Sequence, residues 1–577
     1  MKAHGRNSLI CAVLIAVLYV GCSGGSGGDS NSASTGGGSG SSPGSGSGSG
    51  SGSAPGSGSG SGSAGNPPAT AAPTVDVVTY HNDIARTGQQ LHETKLTPAN
   101  VNSSSFGKIN NYPVDGKVDA EPLYLSNVSI AGGTHNVLYV ATENDSVYAF
   151  DADTGAQLWK VSALGNGETP SDSLNCFQIS PIIGITSTPV IDRARGPHGA
   201  IYLVAMSKDA SGNYHQRIHA LDLTTGAELF GGPTTIGASV PGSGPNSSGG
   251  TLTFDPKQYA ERQSLLLLNG NVYTGWTSHC DIAPYNGWVI SYSADTLQQT
   301  GVLNLTPNGT GGAIWMSGAG MASDGQSIYF LDANGTFDTT LDANGFPVNA
   351  DFGNAFIKLG VANGPKVTDY FVMSNTATES QADEDLGSGG ALVLPDLTDA
   401  SGVVRHFALG AGKDAIIYVV NRDSMGKFNP SANNLFQQIS GQLTGPEFGM
   451  PAYFNNTVYF GSIGDSIKAF GVSGAGLTTT PTSRTPTSFG TPGATPSISA
   501  NGNAGGIVWA LENGDIAVLH AYDATNLAVE LYNSNQAASA RDQFGAGNKF
   551  ITPMIANGKV YVGTPNSVAV FGLLGGG

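Results

Sequence analysis

One phrase returns eight times between residues 120 and 563 of this chain: a short apolar strand often opened by proline, an Asn/Gly turn, then an aliphatic-aromatic strand. PLYLSN leads to VLYVA, PVID to IYLVA, LLLLNG to NVYTG, MASDG to SIYFL, LVLPD to AIIYVV, PAYFNN to TVYFG, PSISANG to GIVWA and PMIANG to KVYVG. The aromatic anchors are Tyr139, Tyr202, Tyr273, Tyr329, Tyr418, Tyr459, Trp509 and Tyr561. Several copies add a third strand, such as RIHALD, WVISYS, SIKAFG or SVAVFG. A sheet of three or four short strands cannot bury both its faces alone, so the copies must pack radially, which also protects most strand edges. The expected fold is all-β: an eight-bladed β-propeller of four-stranded antiparallel sheets.

The last copy ends at SVAVFGL without a fourth strand, and an unassigned strand-like stretch, FGKINNYPV at 106–114, precedes the first. The N-terminal strand is therefore expected to complete the C-terminal blade and close the ring. SVYAFDADTGAQLW (146–159) reads as a third strand, an Asp-Gly turn and an outer strand, with Trp159 packing between neighbouring blades. DLTTGAELF (222–230) is a second copy, so the turn serves the architecture and is not a unique active site.

Only 11% of the 577 residues are charged, 84 are glycine, and the formal net charge of -18 repels nucleic acid and anionic lipid headgroups. Lys2 and Arg6 precede LICAVLIAVLYV, an apolar run too short to span a bilayer and built like a signal peptide. LYVGC at 18–22 is similar to a bacterial lipobox, which would make Cys22 a lipidation site; the alternative is an ordinary secretory signal cleaved nearby. Residues 23–74 are almost wholly Gly, Ser, Ala and Pro and read as a flexible tether. The organisation is thus 1–22 signal peptide, 23–74 linker and 75–577 propeller, in a protein exported to the periplasm or cell surface. Its membrane contact is expected only through a lipid anchor, placed at the outer membrane. Cys176 falls between the first two blades and Cys280 between the second and third strands of the third blade. Such loops emerge on one propeller face, and export is oxidising, so a Cys176–Cys280 disulfide is expected.

PLYL…VLYVATENDSVYAFDADTGAQLW and ALDLTTG resemble the repeats of the pyrroloquinoline quinone (PQQ) enzymes, the eight-bladed quinoprotein dehydrogenases. The resemblance covers residues 75–575, and ARTGQQLHETKLTPANV (85–101) looks like that family's leading segment. It implies a tryptophan under the quinone, matched by Trp315 in GGAIWMSGAG ahead of blade four. It implies an asparagine and an acidic metal ligand, matched by Asn334 in IYFLDANGTFD and by Asp281 in GWTSHCDIAPYNGWVI. It implies a catalytic aspartate ahead of blade five, matched by Asp385 in ADEDLGSGGALVLPD beside Asp383 and Glu384. It implies a basic residue beside the quinone oxygens, matched by Lys413 in LGAGKDAIIYVVNR.

The chain also departs from that pattern. Only Cys176, in NCFQIS, stands where family members often carry two adjacent cysteines over the cofactor, and the arginine that follows them is missing. Arg262, in AERQSLLLL, is the candidate replacement for binding a quinone carboxylate; His279, beside Cys280, is placed near the site in a packing role. There is no C-x-x-C-H haem motif, no H-E-x-x-H, no P-loop and no dinucleotide fingerprint. Two readings follow. One is a dehydrogenase that oxidises an alcohol, sugar or aldehyde with PQQ and Ca²⁺, taking a small-molecule substrate and passing electrons to a separate acceptor. The other is a non-catalytic propeller that binds protein or polysaccharide at the cell envelope, as an outer-membrane assembly lipoprotein with the same blades shows.

Overall fold

The structure is a computed structural model that describes residues 75–575 other than Phe177. The expected signal peptide, Cys22 and the 23–74 tether lie outside the described residues. Among the described residues no helix is long and apolar enough to cross a membrane.

Each copy of the repeat forms an antiparallel four-stranded sheet, and eight such sheets stand in a ring. Blade one runs Leu123–Ile130, Gly133–Ala141, Ser146–Asp151 and Gln157–Ser162, with Leu123 opposite Tyr139, Tyr139 opposite Ala149 and Ala149 opposite Trp159. The aromatic anchors are all buried, and three of them donate to a neighbouring blade. The Tyr139 hydroxyl donates to the Leu223 carbonyl of blade two at 3.0 Å, Tyr202 to Ala294 of blade three at 2.6 Å, and Tyr459 to Ala524 of blade seven at 2.8 Å. Each acceptor lies just past the end of a third strand, so a side chain from one blade fixes the turn of the next.

The DADTG turn shows why its residues are needed. Asp151 Oδ1 accepts from the amides of Asp153 and Thr154 and from the Thr154 hydroxyl, which closes the reversal locally. Asp222 accepts in the same way from Thr224 and Thr225. Trp159 Nε1 donates to the Leu223 carbonyl at 3.0 Å, so the tryptophan is an interblade contact.

The fourth strand of blade eight is Phe106–Pro113, from the N-terminal side of the chain; it pairs antiparallel with Ser567–Leu573, Phe106 opposite Leu573 and Tyr112 opposite Val568. Tyr112 donates to the Ala152 carbonyl of blade one at 2.9 Å, the contact that Trp159 makes one blade further on. Removing this hydroxyl leaves the Ala152 carbonyl with only Lys559. Tyr112→Phe is expected to cost about 1 kcal/mol in denaturant titration; no change would show that the seam does not use this bond.

Blade five differs from its sequence reading. LVLPD does not lead directly to AIIYVV: a small hairpin, Leu397–Thr398 with Val404–Arg405, is inserted, and the second strand is Phe407–Ala411. Tyr418 therefore sits on the third strand, Ile417–Asn421. The first strand here is only Leu392–Val393, and it pairs with Phe407–Ala411 across the insertion.

A strap formed by residues 77–93 fills the centre of the ring and reaches every blade. Val77 exchanges two backbone bonds with Tyr124 of blade one, and the carbonyls of Val78, Ile84, Ala85, Thr87 and Gly88 accept from Ile191, Ser323, Val393, Tyr453 and Ile498 of blades two, four, five, six and seven. Arg86 donates to the Leu265 carbonyl ahead of blade three, and Glu93 accepts from Gly558 in blade eight. The first strands are innermost, so the strap satisfies ring edges that would otherwise be open.

Candidate functional site

The loops that enter the first strands and leave the second strands gather around a cleft of about 530 Å³. Trp315, Asn334, Asp281, Asp385, Lys413 and Arg262 all line it, drawn from blades three, four and five. The backbone explains how they meet. Gly311 and Gly312 have φ of 80° and 69°, and a side chain on Gly311 would meet the Asn334 carbonyl oxygen at 2.3 Å. The Gly312 amide donates to that carbonyl at 2.8 Å, fixing the Trp315 loop against Asn334. Ser317 Oγ then donates to the Ser388 carbonyl at 2.7 Å, tying the same loop to the Asp385 segment. A side chain on Gly412 would meet Leu386 Cα at 2.5 Å, and the Lys413 amide donates to the Asp385 carbonyl at 3.0 Å.

Lys413 is the electrostatic centre. Its Nζ lies 2.7 Å from Asp385 Oδ2 and 2.8 Å from Asp383 Oδ1. Burial works against its charge, but the two carboxylates outweigh burial and hold its pKa above the ordinary value. Asp385 is pushed up to about 6, chiefly by burial; Lys413 opposes the rise and Asp383 adds to it. Its Oδ1 is buried without a hydrogen-bonding partner among the described residues, as is the side-chain oxygen of Asn334. Asn334 donates from Nδ2 to Asp383 Oδ1 at 2.8 Å. The Asp281 carboxyl is raised by desolvation in the cleft, against the pull of Lys413.

Arg262 is only 9% exposed, yet it makes no hydrogen bond or ion pair among the described residues. Its guanidinium lies 5.2 Å from the centroid of Phe550, and Lys549 Nζ lies 5.7 Å from the same ring. Trp315 packs against Phe448 and Phe550, with centroids 5.8 and 6.1 Å away. The cleft thus offers an aromatic wall, cations not consumed by ion pairs, and carboxylates.

The sequence reading missed Phe448, Phe550, Lys549, Tyr285 and Gln178, all of which line the cleft. A signal for two of them exists: Arg262, Phe448 and Phe550 each stand four residues ahead of the first strands beginning at Leu266, Ala452 and Met554. That repeated offset marks a position whose side chain reaches the centre. Cys176 is not among the residues that line the cleft: its sulfur is bonded to Cys280 as expected, with Cα atoms 5.7 Å apart, and the neighbouring Gln178 and Ile179 reach the cleft. His279 is 3% exposed, lines the cleft wall, and has its pKa lowered to about 4 by burial, so it is a neutral packing group.

No family model matches the sequence, and no curated protein does either. Solved structures do match. The quinohemoprotein alcohol dehydrogenase of Comamonas testosteroni is 16% identical, with a TM-score of 0.55, over 88% of this chain and 82% of that one. A quinohemoprotein alcohol dehydrogenase from Pseudomonas putida HK5 is 14% identical, with a TM-score of 0.56, over 87% and 81%. A europium-containing methanol dehydrogenase is 13% identical, with a TM-score of 0.56, over 87% of this chain and 99% of its own. At these identities the likeness shows the eight-bladed fold.

Proposed function

We propose that the protein is an exported quinoprotein dehydrogenase that oxidises an alcohol, sugar or aldehyde with PQQ and Ca²⁺ held in this cleft, passing electrons to a separate acceptor. The observation that carries the reading is the meeting, in one cleft, of Trp315, Asn334, Asp281, Asp385, Lys413 and an unpaired, buried Arg262. The structural neighbours, dehydrogenases by name, support the same reading.

The residues present fit these groups. PQQ is a flat tricarboxylate, which suits an aromatic wall of Trp315, Phe448 and Phe550 flanked by Arg262 and Lys549. Ca²⁺ prefers oxygen donors, and the unpartnered Asn334 oxygen and the Asp281 carboxylate are of that kind. Among the described residues no group of three or more His, Cys, Asp or Glu side chains could hold a metal ion alone. Asn334 and Asp281 would hold the cation, which needs further oxygen donors beyond these two side chains. PQQ, when bound, supplies the two-electron acceptor that no side chain of the chain provides.

The protein's part is orientation and proton transfer. Asp385 Oδ1 is the proton acceptor for a substrate hydroxyl, because it is buried, unpartnered and ionised above about pH 6. Lys413 keeps that carboxylate charged and presents a positive charge to the cleft. The aromatic wall excludes water. Lipidation at Cys22 and the tether of residues 23–74 complete the proposal, placing the propeller at the outer membrane.

The test is uptake: the mature protein should bind PQQ in the presence of Ca²⁺, read by absorbance, and reduce a redox dye with an alcohol, sugar or aldehyde. Trp315→Ala should weaken PQQ binding at least about ten-fold, since one face of the ring loses its contact. If the protein takes up no PQQ with Ca²⁺ present, the enzyme reading fails, and a propeller that binds envelope protein or polysaccharide takes its place.

A further inference from the structure

The Cys176–Cys280 disulfide spans 104 residues and joins the loop between blades one and two to the loop after the second strand of blade three. Both cysteines stand next to residues of the cleft wall: Gln178 and Ile179 on one side, His279 and Asp281 on the other. The second loop is conformationally unusual. Cys280 has φ 49° and Asp281 φ 50°, two successive non-glycine residues in the left-handed region. Such residues persist there only where their surroundings hold them. Two holds are visible. One is the disulfide itself. The other is Gln178, whose Oε1 accepts from the Cys280 amide at 3.2 Å. Gln178 and Asp281 both line the cleft.

We propose that the Cys176–Cys280 disulfide and Gln178 are positioning residues for Asp281: they hold its strained backbone so that the carboxylate stays in the cleft, and the affinity for a divalent cation depends on them. The proposal rests on the reading of Asp281 as a cation ligand given above. The disulfide does not line the cleft, so it acts through the loop alone. Outer groups that fix a ligand's orientation commonly change metal affinity about 10–100-fold when removed.

The test is a Ca²⁺ titration by calorimetry with PQQ present, on the oxidised protein, the thiol-reduced protein, and the Cys176→Ser and Gln178→Ala variants. Reduction and Cys176→Ser should each weaken Ca²⁺ binding by about ten-fold or more, and Gln178→Ala should weaken it in the same direction. In an Asp281→Asn background, reduction should change the residual affinity by no more than about two-fold, because the clip acts through that carboxylate. An equal loss with and without Asp281 would overturn the proposal, as would a reduced protein that binds Ca²⁺ as tightly as the oxidised one. Hydrogen exchange separates this idea from the cation reading. Residues 279–285 should exchange faster on reduction while the blade strands do not. If they do so but neither form binds Ca²⁺, the clip stands and the cation reading fails; if their exchange is unchanged, the clip is overturned whatever the titration shows.

Discussion

Asp385→Asn is expected to lower kcat/KM by about 10²–10⁴-fold while PQQ and Ca²⁺ still bind within a few-fold, because the change removes a proton acceptor and almost no volume. The carboxylate is the buried end of the Lys413 pair, and Asp383 remains to hold that lysine at 2.8 Å, so the cleft should keep its shape. The pH dependence follows from the same geometry. Burial raises the Asp385 pKa to about 6, and the group must be ionised to accept a proton. In the wild type, kcat/KM should therefore rise as pH increases through about 6 and level off above it. Lys413 holds that pKa down against burial, so Lys413→Met should shift the limb to higher pH. The asparagine variant should lose the limb. Turnover within ten-fold of wild type, or a limb that persists in the variant, would remove Asp385 from the role of base.

The fold was legible because its signal is repeated. Eight strand pairs with one aromatic anchor each, and an unpaired stretch at 106–114, leave few ways to build the ring. Blade five shows the limit of that reading. Its inserted hairpin places Phe407–Ala411 where the repeat reads straight through to AIIYVV, and FALGA carries no aromatic at the anchor position. A pattern method follows the tyrosine, and here the tyrosine had moved one strand outward. The strap was not legible as such. VVTYHNDIARTGQQ has no strand or helix period, because its backbone bonds go to six different blades and none go to itself in regular order.

The site was legible for a different reason. Trp315, Asn334, Asp281, Asp385 and Lys413 lie in irregular loops, where composition says nothing, and only the resemblance ordered them. The cysteine pair was readable from physics alone, since two loops on one face and an expected oxidising compartment leave two thiols in reach of each other. Phe448 and Phe550 needed the structure, although their shared offset from the first strand would have pointed inward had the offset been compared across blades.

Arg86→Ala should be among the most destabilising single changes in the chain. The residue has no exposed surface, and it is one of the few charges buried without a carboxylate bonded to it. Burial lowers its pKa to about 10, so it remains charged at neutral pH. It is held by carbonyls and a hydroxyl: Met321 at 2.9 Å, Tyr80 at 2.8 Å, Leu265 at 3.2 Å and Thr79 Oγ1 at 2.7 Å. Truncation leaves these acceptors buried without a donor and opens a void at the centre of the ring. Each orphaned acceptor costs about 1–3 kcal/mol, so a loss of about 4 kcal/mol or more is expected in denaturant titration. Arg86→Lys keeps the charge but has one short reach instead of a fork, and should recover only part of the loss. The effect should extend to the cleft. Leu265 follows Arg262 by three residues, and Met321 closes the loop that carries Trp315, so the guanidinium joins the strap to the two loops that form the aromatic and cationic wall. The Arg86→Lys protein, if it folds, should therefore show faster hydrogen exchange at 312–321 than at the outer strands. A variant as stable as wild type, or one whose loosening is confined to residues 77–93, would show that the strap only fills the ring and does not support the site.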